Sequence, residues 1–232
     1  ETYEYLVLGT VKGRVKKIKL QDVEHIRPSG LIIMNLRDDE LISVKLANEA
    51  DDIIFVSEKG MAIRFSVDDL PARRRAAGGV KGMSLRPGDK VVSMDVGNDS
   101  SKLLTISKLG RGKVNPLSEY RRQGRGGLGL KTFKITRHTG LIADAEIVAE
   151  ATEVYVVSEK AQIMRTNLSE IRNLRGRITQ GVTIFKPRSG DSVSSIACVG
   201  NLPLEEDPKV ELNGTAKKVG IEAQTNKDKK KK

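Results

Sequence analysis

The sequence predicts an all-β protein of propeller-like blades, and three observations point there. A segment of eighteen residues recurs four times without gaps at a spacing of about fifty residues. Each copy reads as two short apolar strands around a small residue. Long helical periodicity is missing throughout. The copies are LVLGTVKGRVKKIKLQDV from Leu6, IIFVSEKGMAIRFSVDDL from Ile53, LLTISKLGRGKVNPLSEY from Leu103 and VYVVSEKAQIMRTNLSEI from Val154.

Within each copy the elements follow in a fixed order. A β-rich apolar run comes first, then a small residue (Gly13, Gly60, Gly110 or Ala161) where the chain turns, then a second strand. The segment closes on a polar–acidic–apolar triplet: Gln21-Asp22-Val23, Asp68-Asp69-Leu70, Ser118-Glu119-Tyr120 and Ser169-Glu170-Ile171. A basic, Gly-containing loop leads to a third apolar run (LIIMNL, KGMSL, LGLKTF, GVTIF). A charged turn leads to a fourth (ELISVKL, KVVSMDV, LIADAEIV, SVSSIACV). Four strands in about fifty residues is the count of a propeller blade. A lone blade cannot bury both faces, so neighbouring blades must stack. The expected organisation is one domain over 1–200, with four four-stranded blades near 6–50, 53–99, 103–150 and 154–200. A tail at 201–232, acidic and Pro-containing and then Lys-rich, is expected to be disordered, with electrostatic help to a bound polyanion as its alternative role.

Charge narrows the function. The 232 residues hold 41 Lys+Arg against 30 Asp+Glu, a net charge of +11. The tail has 8 Lys against 6 acidic residues, so +9 belongs to the first 200 residues. A basic body favours a polyanion, either nucleic acid or an anionic membrane surface. No run approaches the ~20 apolar residues of a membrane span, and the N-terminus shows no signal-peptide core. A chain opening on Glu1 rather than Met is expected to be a piece of a longer protein. Cys198, the single cysteine, excludes an internal disulfide, fits a reducing cytosol and reads as a buried, inert thiol. His25 and His138 lie far apart, so no metal-ligand spacing exists, and no cofactor motif is found.

The basic residues recur at one structural position. After HIRPSG (25–30) in the first copy come Arg73, Arg74, Arg75 and Lys81 in the second. The third has Arg121, Arg122, Gln123, Gly124, Arg125, Gly126, Gly127 and Lys131, and the fourth has Arg172, Arg175 and Arg177. A lone Arg/Gly turn is usually just solvated, but equivalent loops of stacked blades share a rim and would make a continuous positive band. Arg offers a planar fork of donors, and Gly lets backbone N–H groups approach a phosphate. A second basic set lies on the hairpins: Lys16, Lys17, Arg64, Lys113 and Arg165. For it, DNA contact and ordinary solvation are equally open readings. Aromatics are only 3% with no Trp, which suits backbone-held duplex DNA better than stacked single strands.

These residues resemble a known family. Gly110-Arg111-Gly112-Lys113, Pro116-Leu117-Ser118-Glu119-Tyr120 and Gln123-Gly124-Arg125-Gly126-Gly127 are similar to the repeat of DNA gyrase A C-terminal domains. So are Met164-Arg165-Thr166, Ser169-Glu170-Ile171 and Gly176-Arg177 with Thr179-Gln180-Gly181-Val182. The resemblance covers residues 1 to about 200. It implies a β-pinwheel, usually of six blades, that wraps double-stranded DNA on its basic rim. Here four copies would correspond to the last four blades. The family's main box, Gln-Arg-Arg-Gly-Gly-Lys-Gly, belongs to the first blade and is not found. QGRGGLG (123–129) looks like a second, box-like motif, with Leu128 where Lys is expected. The resemblance further implies a bacterial, cytoplasmic and nucleoid-associated parent, a type IIA topoisomerase. There the rest of the gyrase A polypeptide joins the gyrase B polypeptide in an A2B2 heterotetramer. ATP-driven strand passage in that assembly supercoils DNA, with cleavage and ATP hydrolysis in other parts of the enzyme.

Three alternatives stand beside it: the related domain of topoisomerase IV, a decatenase; a propeller scaffold for protein binding, which predicts salt-insensitive binding; and an enzyme. Tyr120-Arg121 resembles the Tyr–Arg pair with which type IIA topoisomerases cleave DNA. Yet Tyr120 occupies the slot of Val23, Leu70 and Ile171, which predicts a packing role. No catalytic triad, carboxylate pair or P-loop is present.

Overall fold

The computed structural model describes residues 2–26, 28–148 and 151–200. The first repeat forms β1 (Tyr5–Thr10), β2 (Arg14–Lys19) and β3 (Leu41–Ala47). The second forms β4 (Asp52–Ser57), β5 (Met61–Ser66), β6 (Val80–Lys81) and β7 (Val91–Gly97). The third forms β8 (Lys102–Ser107), β9 (Arg111–Pro116), β10 (Leu130–Lys131) and β11 (Ile142–Ile147). The fourth forms β12 (Ala151–Ser158), β13 (Ile163–Asn167), β14 (Val182–Thr183) and β15 (Val193–Gly200). The acidic closes fold as three-residue 3-10 turns at Leu20–Asp22, Leu117–Glu119 and Leu168–Glu170. The expected tail at 201–232 lies outside the described residues. No described helix is long and apolar enough to cross a membrane.

The fold is the all-β arrangement of four blades, but the strands are shared differently from the sequence expectation. The first three sheets run β3-β1-β2-β6, β10-β5-β4-β7 and β11-β8-β9-β14, and the last runs β13-β12-β15. The third run of each repeat therefore leaves its own blade and pairs with the second strand of the blade before it. Val80 lies opposite Val15, Leu130 opposite Ala62 and Val182 opposite Gly112. Two corrections follow. The first repeat's LIIMNL forms no strand, for no described blade precedes it. The fourth sheet has three strands among the described residues, for its second strand is offered none.

The crossing strand explains the small residue at each turn. Gly110 has φ +76°, and the carbonyl oxygen of Phe185 lies 1.9 Å from where a Cβ would sit, so only glycine fits under the incoming chain. Its N-terminal counterpart Gly13 meets the carbonyl of Met83 in the same way, at 2.6 Å. In the fourth blade no strand crosses among the described residues, and Ala161 takes the same left-handed conformation, φ 59°.

Successive residues of the central strands feed two cores, which is why those strands read as continuous apolar runs. Ile53 and Phe55 pack with Val7 and Val15 of the first blade. Ile54 and Val56 pack with Leu103, Leu117 and Tyr120 of the third. A further cluster joins Leu104, Ile106 and Val114 to Val154, Val156 and Phe185. The inner strands are stitched by side chains. Asp95 Oδ2 accepts from Ile147 N at 2.8 Å, Asp144 Oδ2 from Ile196 N at 3.0 Å and Glu146 Oε2 from Cys198 N at 3.0 Å. Asp95, Asp144 and Glu146 thus line successive inner strands.

Candidate nucleic-acid interface

Each basic loop docks on the second strand of the preceding blade. Arg73 N donates to Lys17 O at 2.9 Å, Gln123 N to Arg64 O at 2.8 Å and Leu174 N to Val114 O at 3.0 Å. Lys17, Arg64 and Val114 occupy one slot of the repeat, so the three loops leave their blades at equivalent points. A close approach then sets the loop's exit: a Cβ on Gly181 would lie 2.4 Å from the carbonyl oxygen of Gly112.

The loops also touch one another in sequence order. Gly126 N donates to Gly82 O at 2.6 Å, Ser84 Oγ to Gly126 O at 2.7 Å and Arg125 Nη1 to Lys81 O at 3.3 Å. One blade on, Lys134 N donates to Thr179 O at 3.0 Å and Arg177 Nη1 to Lys131 O at 3.4 Å. Arg177 also lies over the ring of Tyr120, 5.9 Å from its centroid. The segments 73–84, 121–134 and 172–180 form one connected strip. Arg74 and Arg75 also border a cleft shared with His25, Ser29 and Gly30 of the first repeat.

Along that strip Arg73, Arg74, Arg75, Lys81, Arg121, Arg122, Arg125, Lys131, Arg172 and Arg175 are exposed, and so is Gly124. Gln123, Gly126, Gly127 and Arg177 are half-buried. Arg122 is committed to an ion pair with buried Asp52, 2.7 Å away, which holds its guanidinium in the charged form. Among the described residues, the side chains of Arg73, Arg74, Arg75, Lys81, Arg121, Lys131, Arg172 and Arg175 have no partner. Eight cations in a connected strip repel one another, and an array of phosphates relieves that repulsion.

The hairpin set is corrected. Lys16, Lys17, Arg64 and Lys113 are buried, and their charged ends serve the protein. Arg64 Nε binds Asp52 at 2.8 Å, while its Nη1 donates to Leu117 O at 3.0 Å and Tyr120 O at 3.2 Å. Lys17 lies over the Tyr5 ring at 4.5 Å. Only Arg165 stays exposed, and Glu153 Oε2 accepts from its Nε at 2.7 Å. Sequence reasoning missed this burial because the cations alternate with Ile63, Val114 and Met164 in the same slots.

Tyr120 is 1% exposed, with its hydroxyl 2.5 Å from Thr132 Oγ1. Burial pushes its hydroxyl up to about 12, which unfits it as a nucleophile at neutral pH. The packing role predicted for its slot is the one observed. Cys198 is half-buried rather than buried, and its partial burial, with the Glu146 carboxylate beside it, raises its thiol far above its ordinary value. No cluster of metal-ligating side chains occurs among the described residues.

The family described as DNA gyrase C-terminal domain, beta-propeller, matches residues 4–48, 51–98, 101–149 and 152–200. The chain belongs to that family. Its relatives include the DNA gyrase A polypeptide of Streptomyces coelicolor, 39% identical over 205 residues, covering 85% of this chain and 24% of that protein. The DNA gyrase A polypeptide of Staphylococcus epidermidis is 39% identical over 207 residues, covering 88% and 23% respectively. The chain therefore spans about a quarter of the length of these relatives. Among solved structures, a DNA gyrase A C-terminal domain matches with a TM-score of 0.74 at 28% identity, over 84% of this chain and 65% of that one. The C-terminal domain of a DNA topoisomerase IV matches with a TM-score of 0.78 at 24% identity, over 86% of this chain and 63% of that one, which shows a shared fold.

Proposed function

We propose that this domain binds duplex DNA through the strip of basic loops and bends it along the blades, as the wrapping module of a gyrase A polypeptide. The connected row of eight exposed, unpartnered cations carries this reading. The contacts go to phosphates, so binding depends little on sequence. Within the parent, wrapping presents a DNA segment of positive handedness to the cleavage machinery, and ATP-driven passage converts it to negative supercoils. Cleavage and ATP hydrolysis belong to the rest of gyrase A and to gyrase B, in an A2B2 assembly acting on bacterial chromosomal DNA. The domain itself performs no chemistry: the one tyrosine beside an arginine in this strip is buried.

Titration of unrelated duplexes of equal length over a salt series tests this. If six or so phosphates are neutralised, affinity falls by roughly 10³-fold or more between 50 and 200 mM salt. A flat response would instead identify a protein-binding scaffold.

A further inference from the structure

Beneath two of the basic loops lie lysines with an unusual environment. Lys16 is 1% exposed and donates to three carbonyls: Ile33 O at 2.7 Å, Ala77 O at 2.6 Å and Arg75 O. Three N–H groups meet three acceptors, so the ammonium is saturated. Lys113, in the same slot of the third repeat and fully buried, donates to Arg177 O and lies 5.5 Å from the centroid of the Phe133 ring. Neither forms an ion pair with a carboxylate among the described residues. Two residues earlier, Arg14 donates to Gly79 O, and Arg111 donates to Gln180 O at 3.1 Å and Gly181 O at 2.7 Å. Each Arg-x-Lys pair thus gathers the carbonyls of the loop crossing above it. Residues 73–81 sit over Arg14 and Lys16, and 172–181 over Arg111 and Lys113.

A buried lysine without a counter-ion is costly. Desolvation lowers both lysines below their usual value, Lys113 to about 8. A methionine would fill the same slot, as Met164 does in the fourth repeat. The charge nevertheless has a consequence for the rim. Carbonyl oxygens drawn inward keep the negative ends of those peptides away from an approaching phosphate. Loops fixed in this way hold their arginines before DNA arrives, which lowers the ordering entropy lost on binding.

We propose that Lys16 and Lys113 are positioning residues for DNA binding, each holding the loop above it by its carbonyls so that Arg73, Arg74, Arg75, Arg172 and Arg175 are preset for the phosphate backbone. This rests on the reading of the strip as the DNA-binding surface.

The test uses the full 232-residue chain and relaxed or nicked circular DNA. Lys16→Met, Lys113→Met and the double variant are compared with Arg175→Ala, which removes a direct contact. Three quantities are read: affinity over a salt series, linking number after ligation of the nicked circle, and the thermal midpoint. Each Lys→Met change is expected to weaken binding roughly 10-fold and to reduce the linking-number change. The slope of log K against log salt should stay as in wild type, since no phosphate contact is lost, whereas Arg175→Ala should reduce it by about 0.9. The midpoint should stay within about 4 °C of wild type, because lost hydrogen bonds and relieved desolvation oppose each other. Wild-type affinity and wrapping in both Lys→Met variants would overturn the proposal alone. So would a salt slope reduced as in Arg175→Ala, or a loss of binding seen only with a collapsed thermal transition. A wild-type chain that does not hold duplex DNA would bring down the reading of the strip, and the proposal with it.

Discussion

Asp144 shows how one side chain at a blade junction ties stability to pH. Its carboxylate accepts from Ala145 N at 2.8 Å and Ile196 N at 3.0 Å, across the third and fourth blades. Burial pushes it up to about 6 from 3.8, with Glu146 and Asp95 adding like charge. The folded state therefore holds a proton that the unfolded chain has lost between pH 3.8 and 6. That contribution is complete below the unfolded value and disappears as pH rises through about 6, so this group costs stability at neutral pH. Asp144→Asn keeps an oxygen for Ile196 N and removes the charge. It should stabilise the domain at pH 7.5 by about 1 kcal/mol and flatten the change in denaturation midpoint between pH 4 and 6.5. Equal pH dependence in variant and wild type would assign the effect to another group. Nothing in LIADAEIV marks the Asp144 carboxylate as the half-buried junction it is: the strand reads as a half-solvated edge until a neighbouring inner strand is laid against it.

At the scale of the element, the crossing strand is what the sequence concealed. Four apolar runs per repeat were legible, and so was the turn at Gly13, Gly60, Gly110 and Ala161. Which blade each run joins was not, because β6, β10 and β14 contribute only two paired residues each and their partners lie far back in the chain. Local periodicity holds no information about so short and distant a pairing. Ala161 was the trace of it: the one copy whose turn no described strand crosses is the one that tolerates a Cβ. The energetic counterpart can be measured. Gly110→Ala forces a Cβ against the Phe185 carbonyl in a left-handed turn, and should destabilise by roughly 3 kcal/mol or more in a denaturant titration. Ala161→Gly relieves a similar conformation at an exposed turn, and should stabilise by about 0.5–1 kcal/mol. Similar costs at both sites would mean that the crossing strand does not set the residue at the turn.

Over the described residues, three carboxylates, Asp95, Asp144 and Glu146, stitch the inner strands, and the unpartnered cations of the strip stand on the loops. The loops were legible in the sequence because the same slot is basic in repeat after repeat. Their linkage into one strip was not, since it rests on backbone contacts such as Gly126 N to Gly82 O. That linkage lets a box of particular shape be separated from charge alone. If charge alone holds DNA, Arg125→Ala should weaken binding about as much as Arg74→Ala or Arg175→Ala, each removing one phosphate contact. Gly126→Ala alters no charge, and its Cβ would have space, the nearest atoms of Lys81 being 3.6 Å away. Its backbone, however, sits at φ +83°, which an alanine resists by about 1–2 kcal/mol. The loop would relax by giving up its bonds to Gly82 and Ser84, the points where it meets the preceding loop's strand. Continuity of the strip then fails although every cation remains. The expected result is near-normal affinity for short duplexes, which need only one or two loops, and a reduced linking-number change on circles, which need all of them. Gly124→Ala, where a Cβ meets nothing within 4 Å, is the matched control and should wrap as wild type. Wild-type wrapping by Gly126→Ala, beside a clear loss on removing Arg74 or Arg175, would show that the box adds nothing beyond its charge.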